Sequence, residues 1–276
     1  MDRIRLIASD MDATLLNEQS QLPADFEETI HALAELGIRF APASGRPLYT
    51  LEAMFPTLQN ELVFIGDNGG AIRWKGQNLF TSEMSPEGWR ALNSLTREQG
   101  DIAVLCGLES AYVERPFAVH DAVLRHFYTK IEYVDRLEDV TAPADKFTIY
   151  LPQHNAQQAY DTVYASQRSI YSVAVAGECW VDIMNPGVHK GAALQTLGQL
   201  WGLPSESIMA FGDTYNDAEM LQTVRYGFLM ENGSEPLRQK VPFLAPSHRE
   251  AGVMQVLHRV LAQNGCVCPE DFVPAH

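Results

Sequence analysis

Continuous apolar runs that alternate with amphipathic segments recur in both terminal parts of the sequence. Residues 4–9 (IRLIAS) have the character of a strand buried on both faces. Residues 23–37 (PADFEETIHALAELG) have the spacing of an amphipathic helix that begins near a proline and ends at a glycine. Strand-like runs follow at 38–43 and 62–65. This order of elements predicts an α/β fold with a Rossmann-like, doubly wound parallel sheet.

The same alternation returns near the C-terminus, and the region between the two halves lacks it. The later elements are predicted as a helix at 188–201, a strand at 207–211, a helix at 217–224, and strands at 226–230 and 241–244. The intervening region mixes helical and alternating segments, such as TIYLP at 148–152. We therefore expect a core built from residues 1–82 and 184–276, with a second, α+β domain inserted at 83–183.

The net charge and the length of the apolar runs argue against two classes of binding partner, nucleic acids and membranes. A formal net charge of −15, from 20 basic and 35 acidic residues, repels phosphate backbones and disfavours nucleic acid as a partner. No apolar run approaches the roughly 20 residues that span a bilayer, and the start of the sequence lacks the apolar stretch of a signal peptide. We expect a cytoplasmic protein without membrane contact. A phosphorylated substrate would require a local positive charge, for which a divalent metal is the simplest source.

Two aspartates one residue apart, Asp10 and Asp12, directly follow the first predicted strand. In an open parallel sheet, ligands bind at the carboxyl ends of the strands. One carboxylate can act there as a nucleophile while the other transfers protons, provided that their environments differ. Aspartate is also a common turn residue, so this segment alone leaves a plain turn and a catalytic pair equally open.

Two further clusters carry groups that suit an anion. Ser44 and Gly45 follow a predicted strand and offer a hydroxyl and exposed amides, although a helix start with a serine cap has nearly the same sequence. Lys190 stands at the start of a predicted helix, where a cation opposes the helix dipole. This position suggests an anionic partner for Lys190, although an exposed lysine there would cost only tenths of a kcal/mol.

The fourth cluster, GDTYND, follows the predicted strand SIMAF. Asp213, Asn216 and Asp217 supply oxygen ligands of the kind that hard divalent cations prefer, while Asp217 is alternatively a cap of the next helix. All four clusters lie at predicted strand ends or helix starts. Together they bring a nucleophile, anion-binding groups and metal ligands to one sheet edge, which is the set of groups that phosphoryl transfer needs.

The order and the amino-acid sequences of these clusters resemble the motifs of the haloacid dehalogenase superfamily of phosphohydrolases, in particular its Cof-type branch with a C2-type cap. The resemblance rests on DMDATLL, SGRP, the DNGG stretch at 67–70, NPGVHKGAAL, GDTYNDAEML, YGFLMENG and SHREAGV. It covers roughly residues 1–82 and 184–260, and over the insertion it rests on position and length only.

This resemblance implies a role for each matching residue. Asp10 would be the nucleophile that forms an aspartyl-phosphate and a Mg²⁺ ligand, and Asp12 the general acid and base, with its backbone carbonyl at the metal. Asp213 would bind Mg²⁺ directly. The residues that would bind the phosphate are Ser44, Gly45, Lys190 and Asn216. Asp217 would support the metal ligands. Arg46 would either contact the substrate or form a surface ion pair.

Ala13 departs from the family, which usually has glycine after the second aspartate. Alanine is strained by roughly 1 kcal/mol or more at positive φ and costs little elsewhere. Because the other site residues are present, we expect a Mg²⁺-dependent phosphatase acting on a small phosphorylated metabolite such as a sugar phosphate. A phosphomutase or phosphotransferase with the same intermediate, and a non-catalytic sensor of phosphorylated metabolites, are the alternatives.

Overall fold

The computed structural model describes residues 1–276, which form seventeen strands and nine α-helices. The strands are β1 (Asp2–Arg3), β2 (Leu6–Asp10), β3 (Arg39–Ala43), β4 (Val63–Gly66), β5 (Ala71–Trp74), β6 (Gln77–Thr81), β7 (Ile102–Gly107), β8 (Ala111–Glu114), β9 (Ile131–Val134), β10 (Ala144–Tyr150), β11 (Ser172–Ala176), β12 (Trp180–Met184), β13 (Ile208–Gly212), β14 (Tyr226–Met230), β15 (Phe243–Ala245), β16 (Cys266–Val267) and β17 (Val273–Pro274). The α-helices are α1 (Phe26–Glu35), α2 (Leu48–Ala53), α3 (Pro86–Gln99), α4 (Asp121–Phe127), α5 (Ala156–Thr162), α6 (Lys190–Trp201), α7 (Ala218–Gln222), α8 (Glu235–Arg238) and α9 (Gly252–Ala262).

Short helical turns fill several of the connections. They lie at Met11–Leu15, Asp67–Gly69, Arg115–His120, Leu137–Asp139, Tyr164–Ser169, Ser205–Ser207, Tyr215–Asp217, His248–Glu250 and Pro269–Asp271. Three of them, at Met11–Leu15, Asp67–Gly69 and Tyr215–Asp217, directly follow strands or strand-end loops of the larger sheet.

The larger sheet has nine strands in the order β17-β15-β14-β13-β2-β3-β4-β5-β6. The six strands from β15 to β4 run parallel, and β5, β6 and β17 are antiparallel at the edges. The chain winds outwards from β2 in one direction and from β13 in the other. The carboxyl ends of β2 and β13 therefore form the topological switch point, where open α/β sheets bind ligands.

Both faces of this sheet are covered, which explains why its strands are continuously apolar. Ile7 and Phe211 pack on one face in a cluster that includes residues of α1 and α9. Ala8 and Ala210 pack on the other face in a cluster that includes residues of α6 and α7. The predicted α/β class with a mainly parallel sheet is confirmed.

A second sheet of six strands is formed between Ile102 and Met184, in the order β11-β12-β10-β7-β8-β9. All its pairings are antiparallel except that of β8 with β9. One face is covered by a cluster that includes residues of α3 and α5, and the other face carries a smaller cluster rich in aromatic residues. The chain enters this region after β6 and leaves it after β12.

Element boundaries differ from the sequence predictions mainly at helix starts. The helix predicted at 188–201 begins at Lys190, and the one predicted at 217–224 is a 3₁₀ turn at Tyr215–Asp217 followed by α7. A capping box between Thr214 and Asp217 closes that turn and explains the earlier start. No helix in the fold has the length and apolar character that crossing a bilayer requires.

Candidate active site

A cavity of about 780 Å³ opens at the switch point and extends between the two sheets. Seven of the nine predicted site residues line it: Asp10, Asp12, Ser44, Gly45, Arg46, Asp213 and Asn216. The other two, Lys190 and Asp217, are fully buried, and Lys190 forms ion pairs with both Asp10 and Asp217. The four sequence clusters therefore meet at one place, because each follows or precedes an element that ends at this edge of the sheet.

Lys190 links two carboxylates at the start of α6. Its Nζ donates to Asp10 Oδ1 at 2.5 Å and to Asp217 Oδ1 at 2.7 Å. Burial alone would lower the pKa of Lys190, but the charges of the two carboxylates outweigh it and raise that pKa above its usual value. These two carboxylates are the anionic partners that offset the unfavourable position of a lysine at a helix N-terminus.

Three buried carboxylates, those of Asp10, Asp213 and Asp217, place oxygens within 4.8 Å of one another. Burial is the largest cause that raises the pKa of Asp10 well above its usual value, and the charges of Asp217 and Asp213 add to it against the effect of Lys190. Burial and the charge of Asp217 raise the pKa of Asp213 to about 7. When all three carboxylates are ionised, Lys190 neutralises only one of their three charges, and this condition favours a bound cation.

Asp217 differs from the other two carboxylates because both of its oxygens are already used. Oδ1 accepts from Lys190, and Oδ2 accepts from the backbone amides of Asp213 at 3.0 Å and Thr214 at 3.2 Å. Of the two alternatives considered for Asp217, the structure shows the cap, since Asp217 closes the turn before α7. Its other oxygen accepts from Lys190. Asp10 and Asp213 each keep an oxygen that accepts no hydrogen bond from the protein.

The loop after β2 turns at Ala13, which has φ 58° and ψ 13°. This is the left-handed region, so alanine is strained here by roughly 1 kcal/mol relative to glycine. The carbonyl oxygen of Ala13 accepts a hydrogen bond of 2.9 Å from Asn232 Nδ2, which ties the loop to the end of β14. The structure thus answers the question left by the sequence: the methyl group is tolerated in a conformation that prefers glycine.

Arg46 contacts both carboxylate oxygens of Asp12 with one guanidinium nitrogen. Nη2 lies 2.9 Å from Oδ1 and 3.1 Å from Oδ2 of Asp12. The Arg46 side chain is only 10% exposed, whereas the Asp12 carboxylate is 55% exposed and lines the cavity. Arg46 is therefore both an ion-pair partner and a cavity residue, and the ion pair is anchored from a buried position rather than lying free on the surface.

The candidate phosphate-binding groups lie around this pair of aspartates. Ser44 is buried, and its Oγ accepts from the backbone amide of Arg46 at 3.1 Å. Gly45 lies so close to Asn68 that a Cβ there would stand 3.2 Å from Asn68 Oδ1, so a side chain at this position would crowd the loop. Asn216 Oδ1 accepts from the Thr214 hydroxyl, which leaves its Nδ2 without a protein acceptor.

Sequence reasoning did not find a second group of polar residues that lines the same cavity. Lys146 of β10 is buried; its Nζ donates to the carbonyl oxygen of Gly45 and lies 3.0 Å from Asp67 Oδ1 and 3.7 Å from Asp182 Oδ2. Asn68 Nδ2 donates to Asp182 Oδ2 at 3.0 Å. The available signal was the presence of charged residues inside two apolar strands, namely Asp145 and Lys146 in ADKFTIY and Asp182 in WVDIM. A charged residue in a strand does not by itself reveal its partner in a distant segment of the chain.

The sequence matches a family model described as haloacid dehalogenase-like hydrolase over residues 7–257. A relative from Escherichia coli, 5-amino-6-(5-phospho-D-ribitylamino)uracil phosphatase YbjI, is 32% identical over 262 residues, which cover 94% of this chain and 96% of the relative. HMP-PP phosphatase from Cronobacter sakazakii is 31% identical over 249 residues, covering 87% of this chain and 89% of the relative.

Solved structures repeat the fold over nearly the whole chain. A Streptococcus mutans protein with 28% identity superposes with a TM-score of 0.85 and covers 94% of this chain and 99% of its own. A HAD/COF-like hydrolase from Plasmodium vivax with 18% identity has the same TM-score and covers 95% of this chain and 97% of its own. Because the Plasmodium vivax protein is only 18% identical, its similarity to this chain concerns the fold alone.

Proposed function

The chain belongs to the haloacid dehalogenase-like hydrolase family and is a phosphoric monoester hydrolase, and we propose that it uses Asp10 as a nucleophile, with Mg²⁺, to hydrolyse a small phosphorylated metabolite. Family membership confirms the resemblance to the Cof-type branch of the haloacid dehalogenase superfamily. The proposal adds the nucleophile, the metal and the aspartyl-phosphate intermediate.

The observation that carries the proposal is the environment of Asp10. Its carboxylate lies at the switch point, is held through one oxygen by Lys190, and keeps the other oxygen free at the cavity. A nucleophile must be fixed in orientation and still have a lone pair to offer, and this arrangement supplies both.

Two steps follow from the positions of Asp10 and Asp12. In the first, an oxygen of Asp10 bonds to phosphorus while the ester P–O bond breaks, and Asp12 gives a proton to the leaving oxygen. In the second, Asp12 takes a proton from a water molecule whose oxygen attacks phosphorus, and the bond from phosphorus to Asp10 breaks. Arg46 acts through Asp12 by holding its carboxylate at the cavity wall.

The acidic group fits a divalent cation, because Asp10 and Asp213 are buried, mutually repelling and only partly hydrogen-bonded. We assign Mg²⁺ to these two carboxylates and to the backbone carbonyl of Asp12. When bound, Mg²⁺ supplies the positive charge that lets a carboxylate approach a phosphate. Asp217 supports the ligands indirectly through Lys190 and the amide of Asp213.

The transferring phosphoryl group has a set of candidate donors around it. Lys190 contributes its buried positive charge, Ser44 its hydroxyl, Gly45 its amide and Asn216 its free Nδ2. Preorganised donors of this kind stabilise the charge that develops in the transition state without reorganisation cost. We infer that these groups hold the phosphoryl oxygens while the leaving group extends towards the second sheet.

We further propose that residues 83–183 act as a C2-type cap on a core of residues 1–82 and 184–276. The second sheet lines the same cavity as the aspartates and contacts the core through Lys146 and Asp182. A cap in this position excludes water from the reaction and selects the leaving group. The two relatives named above are phosphatases of small phosphorylated compounds, which supports a substrate of that size, of which a sugar phosphate is one example.

Phosphate release from a panel of phosphorylated metabolites, with and without Mg²⁺, tests this function. We expect Mg²⁺-dependent turnover that falls at least about 1000-fold in Asp10→Asn, because a carboxamide is a poor nucleophile. Asp161→Asn is the matched control, since Asp161 is exposed on α5 and accepts only from Gln157. An Asp10→Asn variant as active as the parent would exclude Asp10 as the nucleophile.

A further inference from the structure

We propose that Lys146 of the second sheet is a positioning residue for the reaction, because it fixes the peptide unit that orients the Ser44 hydroxyl. The inference rests on the proposed phosphatase function and adds a residue that acts through the phosphate loop, defined here as residues 44–46. This loop follows β3 and lines the cavity. Lys146 reaches it from β10, which lies about a hundred residues further along the chain.

The three carbonyl groups of the phosphate loop are held from two different parts of the chain. The carbonyl oxygens of Ser44 and Arg46 accept from backbone amides of the turn at Asp67–Gly69, both at 2.9 Å. The carbonyl oxygen between them, that of Gly45, accepts instead from Lys146 Nζ. The middle peptide unit of the loop therefore depends on a residue of the second sheet.

The peptide unit held by Lys146 also orients the Ser44 hydroxyl. The Gly45 carbonyl and the Arg46 amide belong to one planar trans unit, so the two groups point in opposite directions. The carbonyl points at Lys146, and the amide donates to Ser44 Oγ at 3.1 Å. A hydroxyl that accepts in one direction has its proton available in another. Fixing this peptide plane therefore fixes where the Ser44 proton can point.

Glycine makes this peptide unit dependent on an external donor. Gly45 has no side chain, and glycine adopts a wider range of φ and ψ than other residues. A larger residue does not fit, because a Cβ at Gly45 would stand 3.2 Å from Asn68 Oδ1. A hydrogen bond from a charged group is stronger than one between neutral groups, so Lys146 is well suited to hold the Gly45 carbonyl.

Lys146 is itself charged and held in one place. Its side chain is 2% exposed, and Nζ lies 3.0 Å from Asp67 Oδ1 and 3.7 Å from Asp182 Oδ2. Burial alone would lower the pKa of Lys146, but the charges of Asp182 and Asp67 outweigh it and raise that pKa well above its usual value. A fixed, permanently charged donor is what orienting a flexible loop requires.

The turn that carries Asp67 is backbone-strained. Asp67 has φ 50° and Asn68 has φ 55°, in the left-handed region that residues other than glycine adopt infrequently. Such conformations persist where the surrounding structure holds them, and they cluster at functional sites. Here the turn is held by its bonds to the phosphate loop and by the ion pair of Asp67 with Lys146. The loop, the turn and Lys146 therefore form one connected unit.

Lys146→Met tests the inference, since methionine fills much of the same space without a donor. We expect kcat/KM for acetyl phosphate with Mg²⁺ to fall about 10- to 100-fold. Removal of one oxyanion donor costs about 100- to 1000-fold, and a misplaced donor keeps part of its effect. Phenyl phosphate should lose the same factor within about threefold, because both substrates share the phosphoryl group. A larger difference between the two substrates would overturn the inference, since it would place Lys146 at the leaving group.

A double-mutant cycle with Ser44→Ala gives a readout that a merely structural role would not move. If Lys146 acts through the Ser44 hydroxyl, Lys146→Met should lower kcat/KM by less than about threefold in the Ser44→Ala background. A larger loss in that background would show that Lys146 affects activity by another route and would overturn the inference.

Two further variants separate positioning from folding. Lys146→Met leaves the buried Asp67 without its partner, which destabilises the fold. Adding Asp67→Asn removes that charge, so the double variant should regain part of the melting temperature and keep the loss of kcat/KM. Phe147→Leu is the matched control, because Phe147 is the next residue of β10 and packs fully buried in the cluster with α3 and α5. It should lower the melting temperature and leave kcat/KM within about threefold of the parent.

These variants also decide against the inference if they behave differently. Recovery of kcat/KM together with melting temperature in the double variant would mean that Lys146 only stabilises the fold. A loss in Phe147→Leu as large as that in Lys146→Met would mean the same. A Lys146→Met variant as active as the parent would overturn the inference and leave the proposed function intact.

Failure of the function gives a different result. Absence of Mg²⁺-dependent hydrolysis of acetyl phosphate by the parent would contradict the proposed function. Calorimetric titration with inorganic phosphate and Mg²⁺ then tests the inference without turnover, and Lys146→Met should bind phosphate about tenfold more weakly than the parent. Equal affinity of the two proteins, or no binding of phosphate by the parent, would overturn the inference.

Discussion

Ala13 directly follows Asp12, and its backbone is strained because its φ of 58° lies in the left-handed region. We predict that Ala13→Gly raises the free energy of unfolding by about 1 kcal/mol, because glycine adopts this conformation without a Cβ penalty. For a domain of this size that corresponds to a melting temperature about 2–4 °C higher. Thermal unfolding measures the gain, and kcat/KM should stay within about threefold of the parent.

A matched control for this change is Ala32→Gly in the middle of α1, where the same substitution should lower stability by about 1 kcal/mol. Opposite signs at the two positions identify backbone conformation as the cause. A parent with negligible activity that Ala13→Gly restores would contradict the view that catalysis tolerates alanine here.

Arg46 is the residue whose role the structure narrows most, since it contacts both oxygens of Asp12 from a largely buried position. We predict that Arg46→Gln lowers kcat by about 10- to 100-fold, because a general acid and base contributes about 10²- to 10⁴-fold only when it is correctly placed. The effect should fall on kcat more than on KM. Steady-state kinetics with a slow leaving group, such as an alkyl phosphate, measures it.

A double-mutant cycle with Asp12→Asn separates positioning from direct substrate contact. If Arg46 acts through Asp12, Arg46→Gln should cost little in the Asp12→Asn background. Full additivity of the two losses would show instead that Arg46 contacts the substrate independently.

These residues also show how far sequence reasoning reaches. The anionic partner of Lys190 could be inferred because a lysine at a helix start is locally unfavourable. The conformation of Ala13 could not be inferred, because an alanine in a sequence does not reveal the sign of its φ. The partner of Arg46 depended on two loops meeting in space, and no local rule relates residues 34 positions apart.

Strand β10 carries an unusual buried carboxyl group, Asp145, next to Lys146. Asp145 is fully buried, and neither of its side-chain oxygens has a hydrogen-bond partner. Burial raises its pKa well above the usual value; the charges of Asp67 and Glu83 add to this, while the charge of Lys146 opposes it. The folded protein therefore keeps a proton that the unfolded chain releases above about pH 4.

We predict that Asp145→Asn stabilises the protein increasingly as the pH rises. Because the folded state holds the proton, parental stability falls above about pH 4, the usual pKa of aspartate, and asparagine removes this loss. One unit of pKa shift is about 1.4 kcal/mol, so at pH 7 to 8 the melting temperature should rise by about 2 °C or more. Melting curves of both proteins from pH 4 to 8 measure the difference.

The difference should approach zero near pH 4 and should be absent for the exposed control Asp161→Asn at every pH. A stabilisation that does not depend on pH would mean that packing, and not proton uptake, distinguishes the amide from the carboxyl group.

Strands with a strong apolar pattern were predicted from the sequence, whereas strands that depend on pairing with a neighbouring strand were not. The parallel strands β2, β3, β13 and β14 are continuously apolar because helices cover both faces. The antiparallel edge strands β5, β6 and β17 are short or polar, and their assignment depends on neighbours rather than on their own sequence. The turn at Tyr215–Asp217 depends on a side-chain cap, which periodicity does not detect.

The whole molecule carries a net charge of −15, and the proposed metal site concentrates several of these charges in one buried group. We predict that Mg²⁺ raises the melting temperature of the parent, because a ligand bound only by the folded state stabilises it by mass action. At 100 times the dissociation constant the gain is about 2.7 kcal/mol. Thermal unfolding with Mg²⁺, and again after EDTA, measures it.

Asp213→Asn should behave in the opposite way to the parent. Without metal it should melt at a higher temperature, since one buried, mutually repelling charge is removed, and added Mg²⁺ should change it little. The neighbouring Asp217→Asn variant should be destabilised instead, because it leaves Lys190 short of a partner. An equal Mg²⁺ response in the parent and in Asp213→Asn would exclude Asp213 as a ligand.

The sequence indicated the arrangement of the whole molecule only through its middle region, which lacks the alternation of strands and helices found in the two halves. The cavity between the two sheets depends on contacts such as Lys146 with Asp67 and Asn68 with Asp182, which join segments up to 114 residues apart. These contacts involve charged residues in strands that otherwise look like ordinary core. Their positions therefore come from the fold and not from any local pattern.

Covalent trapping of the phosphorylated chain tests the proposed nucleophile most directly. In Asp12→Asn with acetyl phosphate and Mg²⁺, the first step should proceed because acetate leaves without protonation, while the second should stall for lack of a base. Intact-mass measurement should then show one phosphoryl group per chain, and peptide mapping should place it on Asp10. Steady turnover without a phosphorylated chain, or a phosphoryl group on any other residue, would contradict a mechanism that proceeds through Asp10.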